Sequence, residues 1–232
     1  MGLAMIIHNV EQRSLDWHTL RLGLPTASDF AKIITSTGEP SKSASGYALT
    51  LAAELFAGKP LDSWEGNVWT ERGRELEEAA ISLYKFMNDA DVTSVGFVTD
   101  DAGAMGCSPD GFVGNDGLIE IKSLKAENHV KTILYYQRHG KCPPDYIQQT
   151  QGQMMICERK WCDVVFYHPD LPLLAIRQNH DTVFQVGLSH LIPPLLKERD
   201  TILKAIRDYN SGNEPKGKVS VPTDPKKSAP LF

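Results

Sequence analysis

The chain has 232 residues, 41% hydrophobic and 23% charged, which is enough for one substantial core and too apolar for a disordered segment. Its formal net charge of −5, from 29 acids against 24 bases, argues against a protein that coats nucleic acid with its whole surface, so any such contact needs a local basic lining. No apolar run reaches the roughly 20 residues of a membrane span, and the start, MGLAMIIHNVEQ, lacks the basic region and long apolar stretch of a signal peptide, which points to the cytoplasm.

After an extended start, Pro25 sets the entry to a helix that Thr26, Ala27, Ser28 and Asp29 open as a capping box and that runs to about Ser36. Residues 45–57 form a second helix, apolar at Leu49, Ala52, Ala53 and Phe56 and closed by Gly58 and Pro60. A long helix over residues 69–88 carries Leu76, Ala79, Ala80, Leu83 and Met87 on one face, with Glu77 at its border. VTSVGFVTDD, MGCSPDGFV and LIEIKSL read as three strands, because apolar and β-branched residues alternate between turn signals. The tightest turn is Gly114, Asn115, Asp116 and Gly117.

Helical pattern returns over residues 127–138 and 145–157, the second opening after Pro143 and Pro144. WCDVVFYHP and LLAIRQNHD are two more strands, followed by a helical stretch to about Tyr209 that Pro193 and Pro194 should kink or split. Residues 211–232 are rich in Gly, Pro, Ser and Lys and read as a tail without its own core, beside a single folded domain over residues 1–210. The cysteines, Cys107, Cys142, Cys157 and Cys162, make no C-x-x-C pair and read as reduced thiols.

One stretch carries chemistry. In a strand successive side chains alternate, so Glu120 and Lys122 share a face while Ile119 and Ile121 take the other. If FVGNDGLI is a hairpin, Asp110 comes opposite the same end of the ladder, within reach of Glu120. Two converging carboxylates repel unless a cation neutralises them, and a hard divalent ion such as Mg²⁺ takes one or two carboxylates, a carbonyl such as that of Ile121, and water. A lysine alongside can orient the attacking water or offset charge on a phosphate, which is equipment for phosphodiester hydrolysis. The pattern D…E-x-K is short, so these three residues alone leave a second reading open: a surface cross-strand pair and a turn residue.

The surrounding order narrows the choice. WHTLRLGLPTASDF, GRELEEAA, CSPDG, LIEIK and YIQQTQGQM follow one another over residues 17–154, and together they resemble the lambda-type phage exonucleases. Those are viral recombinases of the PD-(D/E)xK nuclease superfamily that degrade one strand of linear duplex DNA. The resemblance implies an α/β fold with a central mixed sheet flanked by helices around a restriction-endonuclease-like PD-(D/E)xK core. It makes Asp110, Glu120 and the Ile121 carbonyl Mg²⁺ ligands, Lys122 the water-activating residue, and Glu77 the upstream acid that completes a two-metal site, in which Mn²⁺ can substitute.

By the same resemblance Gln149 holds the nucleophilic water or scissile phosphate, and Gln151 matches a second family glutamine and is assigned to the substrate. Gln153 lies one turn beyond Gln149 on the same helix face. Arg21 and Ser28 match residues that grip the 5′-phosphate left by each cut, with Ser108 a further candidate; Lys42, in a loop outside the resemblance, is a further cation that could add to them. Val68 or Trp69 falls where the family carries an apolar wedge that parts the strands.

The function so implied is Mg²⁺-dependent, processive, 5′-to-3′ degradation of linear duplex DNA to mononucleotides, leaving 3′ single strands for recombination. It further implies a ring-shaped homotrimer, a single-strand annealing protein as partner, and a phage or prophage source acting in a bacterial cytoplasm. Two other classes stay in view: a restriction-type or structure-selective endonuclease on the same core, and a DNA-end-binding protein without turnover.

Overall fold

Apolar runs of two to seven residues, cut by Gly, Pro and Asp, build short strands here, and longer periodic runs build helices that cover them. The computed structural model describes residues 5–61 and 68–212, the side chains of residues 68–71 excepted. The order is β1 (Met5–His8), α1 (Leu15–Arg21), a 3₁₀ helix (Ala27–Lys32), α2 (Ala44–Ala57), α3 (Val68–Asn88), β2 (Val92–Thr93), β3 (Phe97–Asp100), β4 (Gly106–Cys107), β5 (Gly111–Val113) and β6 (Gly117–Ser123). There follow α4 (Ala126–His139), a 3₁₀ turn (Pro144–Tyr146), α5 (Ile147–Ile156), β7 (Trp161–Tyr167), β8 (Leu174–Asn179) and α6 (Thr182–Asn210).

The strands form two sheets, one ordered β1-β3-β4 and the other β2-β5-β6-β7-β8. In the larger sheet β6 and β7 run parallel and the other pairs antiparallel, so the predicted mixed central sheet with flanking helices is what the chain forms. MGCSPDGFV, predicted as one strand, is two strands in two different sheets. The break falls at Ser108, Pro109 and Asp110, because Pro109 has no N–H to give a ladder. VTSVGFVTDD divides in the same way into β2 and β3, at Gly96, where a Cβ would stand 2.3 Å from the Val10 carbonyl oxygen.

Strand β6 is covered on both faces. Ile119 and Ile121 bury with Val113, Val165 and, from α3, Ala80 and Tyr84. Leu118 buries with Met154 and Ile156 of α5 in the main core, which also holds Phe30, Leu51 and Leu188. Each such side chain is worth roughly 1.5–3 kcal/mol on burial, so a one-residue slip of β6 would forfeit several at once. That fixes Glu120 on the Leu118 side. In the next strand Asp163 is neutralised by Arg177 Nε and Nη2, each at 2.8 Å, and by the Tyr84 hydroxyl at 2.6 Å.

Several local predictions change. The capping box does not form: the helix is 3₁₀ and stops at Lys32, and the Thr26 hydroxyl is taken by Arg21 and Ser28 at 3.2 Å each. In α2 the inward face is Tyr47, Ala48, Leu51 and Ala52, leaving Leu49 56% and Phe56 42% exposed. In α3 the inward face turns on Ala80 and Tyr84, leaving Leu83 and Met87 outside. Helix α6 runs unsplit through Pro193 and Pro194. Ile192 and Leu195 on either side are each 3% exposed in or beside the core, and that packing offsets the ~3 kcal/mol an interior proline costs. Among the described residues no helix is long and apolar enough to cross a membrane. The predicted tail, from residue 213 onward, lies outside the described residues.

Candidate active site

The β5–β6 hairpin pairs Gly111 with Ile119, which places Asp110 beside the middle of β6. Its Oδ2 accepts the backbone N–H of Ile121 at 2.5 Å, so the carboxylate is fixed against the Ile121 backbone. Glu120, 5% exposed, has both oxygens engaged. Oε1 accepts from Lys122 Nζ at 2.8 Å and from Gln149 Nε2 at 2.7 Å, and Oε2 accepts from Gln153 Nε2 at 2.7 Å. Lys122 Nζ also donates to Gln149 Oε1 at 2.8 Å, closing a triangle of lysine, glutamate and glutamine.

Gln149 and Gln153 reach the same carboxylate because residues four apart share a helix face. Helix α5 can lie this close because residue 152 is glycine: a Cβ there would stand 2.3 Å from the ring of Phe30. Gln151, two residues from Gln149, faces elsewhere. Its Oε1 accepts the Asp181 N–H at 2.8 Å and its Nε2 donates to the Asn179 carbonyl at 2.9 Å, so it ties α5 to the β8–α6 connection. Its carboxamide, assigned by resemblance to the substrate, is buried here and held by protein groups.

Glu77 comes in from α3. It is paired with Arg13 Nη2 at 3.0 Å and lies near enough to Asp110 for their charges to act on each other. The Asp110 residue is only half-buried, but its carboxylate is sunk, and burial, then Glu120, then Glu77 hold its pKa well above the usual carboxylate range against the Ile121 N–H and Lys122. For Lys122, burial pulls the pKa down, but the charge and hydrogen bond of Glu120, with Asp110, outweigh it and the net direction is up. Lys122 is therefore an ammonium in this arrangement, a donor rather than a base.

The donor set suits a hard divalent cation: carboxylate oxygens of Asp110 and Glu120 beside the Ile121 backbone, with burial and the nearby charges of Glu120 and Glu77 acting on Asp110 for a cation to relieve. Among the described residues no three His, Cys, Asp or Glu side chains stand as a complete metal cage. A bound ion would complete its shell with backbone oxygen, water or substrate.

A second group stands one proline away. The Arg21 guanidinium lies 4.1 Å from the centroid of the Trp17 ring and donates to Thr26 Oγ1 at 3.2 Å and Ser28 Oγ at 3.4 Å. Trp17 Nε1 donates to Ser108 Oγ at 2.7 Å. Arg21, Ser28 and Ser108 are thus brought together, with Trp17 as the link. Thr26 bridges Gly106 in β4, which fixes this loop to the strand leading into Ser108 and Asp110. Burial lowers the Arg21 pKa, with Asp29 the first of the acids opposing it. The hydrogen-bond acceptors of Arg21 are neutral hydroxyls, and an anion would serve it better.

Sequence reasoning missed Trp17, Gln12 and Arg13. Gln12 Nε2 donates to the Val95 carbonyl at 2.8 Å and the Pro109 carbonyl at 3.0 Å, bracing the loop that carries Asp110. No spacing in the sequence marks these contacts, which span more than 60 residues. The side chains of Val68 and Trp69, predicted as the wedge, lie outside the described residues. The four cysteines are buried and free, with Cys107 and Cys157 sulfurs 3.4 Å apart.

Residues 16–160 match the YqaJ-like viral recombinase domain. The chain belongs to that family. Every residue of the two groups lies inside the matched span except Gln12 and Arg13. Among solved structures, the YqaJ-like chain is similar to the alkaline exonuclease LHK-Exo from Laribacter hongkongensis, at 32% identity over 87% of this chain and 100% of that one, with a TM-score of 0.73. The same exonuclease in complex with dAMP gives 31% identity, the same coverage and a TM-score of 0.74. A phage related exonuclease from Haemophilus somnus 129PT, 16% identical over 79% of this chain and 96% of that one, shares the fold at a TM-score of 0.59. No curated protein matches. The architecture is that of the PD-(D/E)xK nucleases.

Proposed function

We propose that this YqaJ-like nuclease is a Mg²⁺-dependent, processive 5′-to-3′ exonuclease that degrades one strand of linear duplex DNA to mononucleotides and leaves 3′ single strands for phage-type recombination. The observation that carries the reading is the junction at Pro109. On one side the Lys122, Glu120 and Gln149 triangle adjoins Asp110, and on the other Arg21, Ser28 and Ser108 surround Trp17. The likeness to LHK-Exo, an alkaline exonuclease whose structure has been solved with dAMP, supports the same substrate class.

The proposed step is hydrolysis. A water oxygen forms a bond to the scissile phosphorus as the P–O3′ bond breaks. The water loses a proton to solvent and the leaving 3′ oxygen takes one up, so the released nucleotide ends in a 3′-hydroxyl and the shortened strand in a new 5′-phosphate. Lys122 Nζ, held between Glu120 and Gln149, orients the water and offsets charge on the phosphate. Mg²⁺ held by Asp110, Glu120 and the Ile121 carbonyl, with Glu77 at a second position and Mn²⁺ as a substitute, would supply Lewis acidity and positive charge at the scissile phosphate. Arg21, with Ser28 and Ser108, takes the new 5′-phosphate through charge-assisted hydrogen bonds, which draws the enzyme forward after each cut. By family resemblance the reading extends to a homotrimeric ring around the duplex and a single-strand annealing partner, in the cytoplasm of a bacterium carrying the phage or prophage.

Linear duplexes with 5′-phosphate or 5′-hydroxyl ends test it, with wild type, Lys122→Ala and Arg21→Ala. Lys122→Ala should bind DNA and lose hydrolysis by about 10²-fold or more. Arg21→Ala should lose the preference for the phosphate end and shorten each run. An unchanged Lys122→Ala rate would remove this mechanism.

A further inference from the structure

The acid on α3 already has a cation. Arg13 Nη2 stands 3.0 Å from Glu77 Oε2, and both side chains line the same cleft as Asp110. Arg13 is an unusual residue for its place. The Ser14 N–H donates to the Glu11 carbonyl at 3.1 Å, closing a turn in which Arg13 has φ +69°. That left-handed position of a type II turn favours glycine, and an arginine pays a steric cost there.

The turn is pinned on both sides. Glu11 pairs with Arg74 of α3 at 3.3 Å, and Gln12 holds the Val95 and Pro109 carbonyls. The other cations lining the cleft are committed elsewhere, Arg74 to Glu11 and Lys85 to Asp91 at 3.7 Å. A costly backbone conformation held by its surroundings beside reactive groups is where function is to be sought. Here it delivers one guanidinium to one carboxylate.

We propose that Arg13 is the internal counter-cation of Glu77 and competes with a divalent ion for that carboxylate. This rests on the reading of Glu77 as an acid of the cation site. The guanidinium satisfies Glu77 in the metal-free protein, and an ion must displace it to use the carboxylate. The second cation position is thereby weakened, and the full charge of the site assembles only at higher cation concentration.

Calorimetric titration of Mn²⁺ into DNA-free protein tests this with wild type, Arg13→Gly, Arg13→Lys, Glu77→Gln and the double variant Arg13→Gly with Glu77→Gln. Glycine suits the left-handed position, so Arg13→Gly keeps the turn. Arg13→Gly should bind Mn²⁺ on the order of 10-fold more tightly than wild type, the equilibrium equivalent of about 1.4 kcal/mol. Arg13→Lys should fall between them, and the double variant should lose the gain. Equal or weaker binding by Arg13→Gly, a gain that persists in the double variant, or no Glu77-dependent binding in any variant would overturn the proposal. Neither DNA nor turnover enters the measurement. Failure of the nuclease reading would appear as absent hydrolysis, and failure of this inference as an absent affinity gain.

Discussion

The carboxylate of Asp110 is sunk beside Glu120 and Glu77, with one N–H and one ammonium in its favour, and the balance holds its pKa above the ordinary value. An acid whose pKa is higher folded than unfolded disfavours the fold when ionised. Without metal, stability should therefore fall as pH rises from the unfolded value of about 3.9 through the folded pKa, and should be recovered on protonation. Asp110→Asn removes that penalty while its amide oxygen can still accept from Ile121. In EDTA near neutral pH it should melt about 2–4 °C above wild type, the shift that ~1 kcal/mol gives a protein of this size, and lose the pH slope. Hydrolysis should be abolished. Melting curves against pH check the first claim, and a variant that melts lower than wild type would contradict it. Asp110, Glu120 and Lys122 were legible because the two-residue period of a strand leaves little freedom once Ile119 and Ile121 must bury. The contacts of Gln151 were not legible because its partners come from β8 and the connection to α6, far away in the sequence.

At the scale of elements, the site depends on how closely α5 approaches β6. Gly152 permits that approach against Phe30, a ring that is 0% exposed and has little room to move. Gly152→Ala gains up to about 1 kcal/mol of helix propensity, but overpacking a tight core costs ~1–3 kcal/mol, and the 2.3 Å clash decides the sign. The variant should melt lower by several degrees and cut more slowly, because Gln149 and Gln153 move with the helix. Thermal melts and turnover of linear duplex measure both, and an unchanged melting temperature would refute the account of this contact. Element positions were legible where hydrophobic periodicity was long, as in α3 and α6. Inward faces were less so, since Leu49, Phe56 and Met87 are as apolar as the residues that bury. The division of MGCSPDGFV between two sheets had a signal in Pro109, but which sheet takes each half follows from pairings with β1, β2 and β3.

For the whole molecule, the two groups proposed for catalysis and end recognition meet because Ser108 and Asp110 leave opposite sides of one proline, each braced by a distant segment. Trp17 holds Ser108 from α1, and Gln12 holds the Pro109 carbonyl from the turn before it. A net charge of −5 is compatible with a DNA substrate when the cationic groups gather at the site, as Arg21 and Lys122 do, and the proposed Mg²⁺ would further reverse the local field. On the proposed reading, this arrangement would recognise an end and then cut beside it. The most direct test compares one plasmid in covalently closed form with the same plasmid linearised, in Mg²⁺, following release of soluble nucleotide and loss of duplex. The linear form should be degraded to mononucleotides and 3′ single strands while the closed circle stays intact. Cleavage of the closed circle at a comparable rate would contradict an exonuclease and favour an endonuclease on the same core.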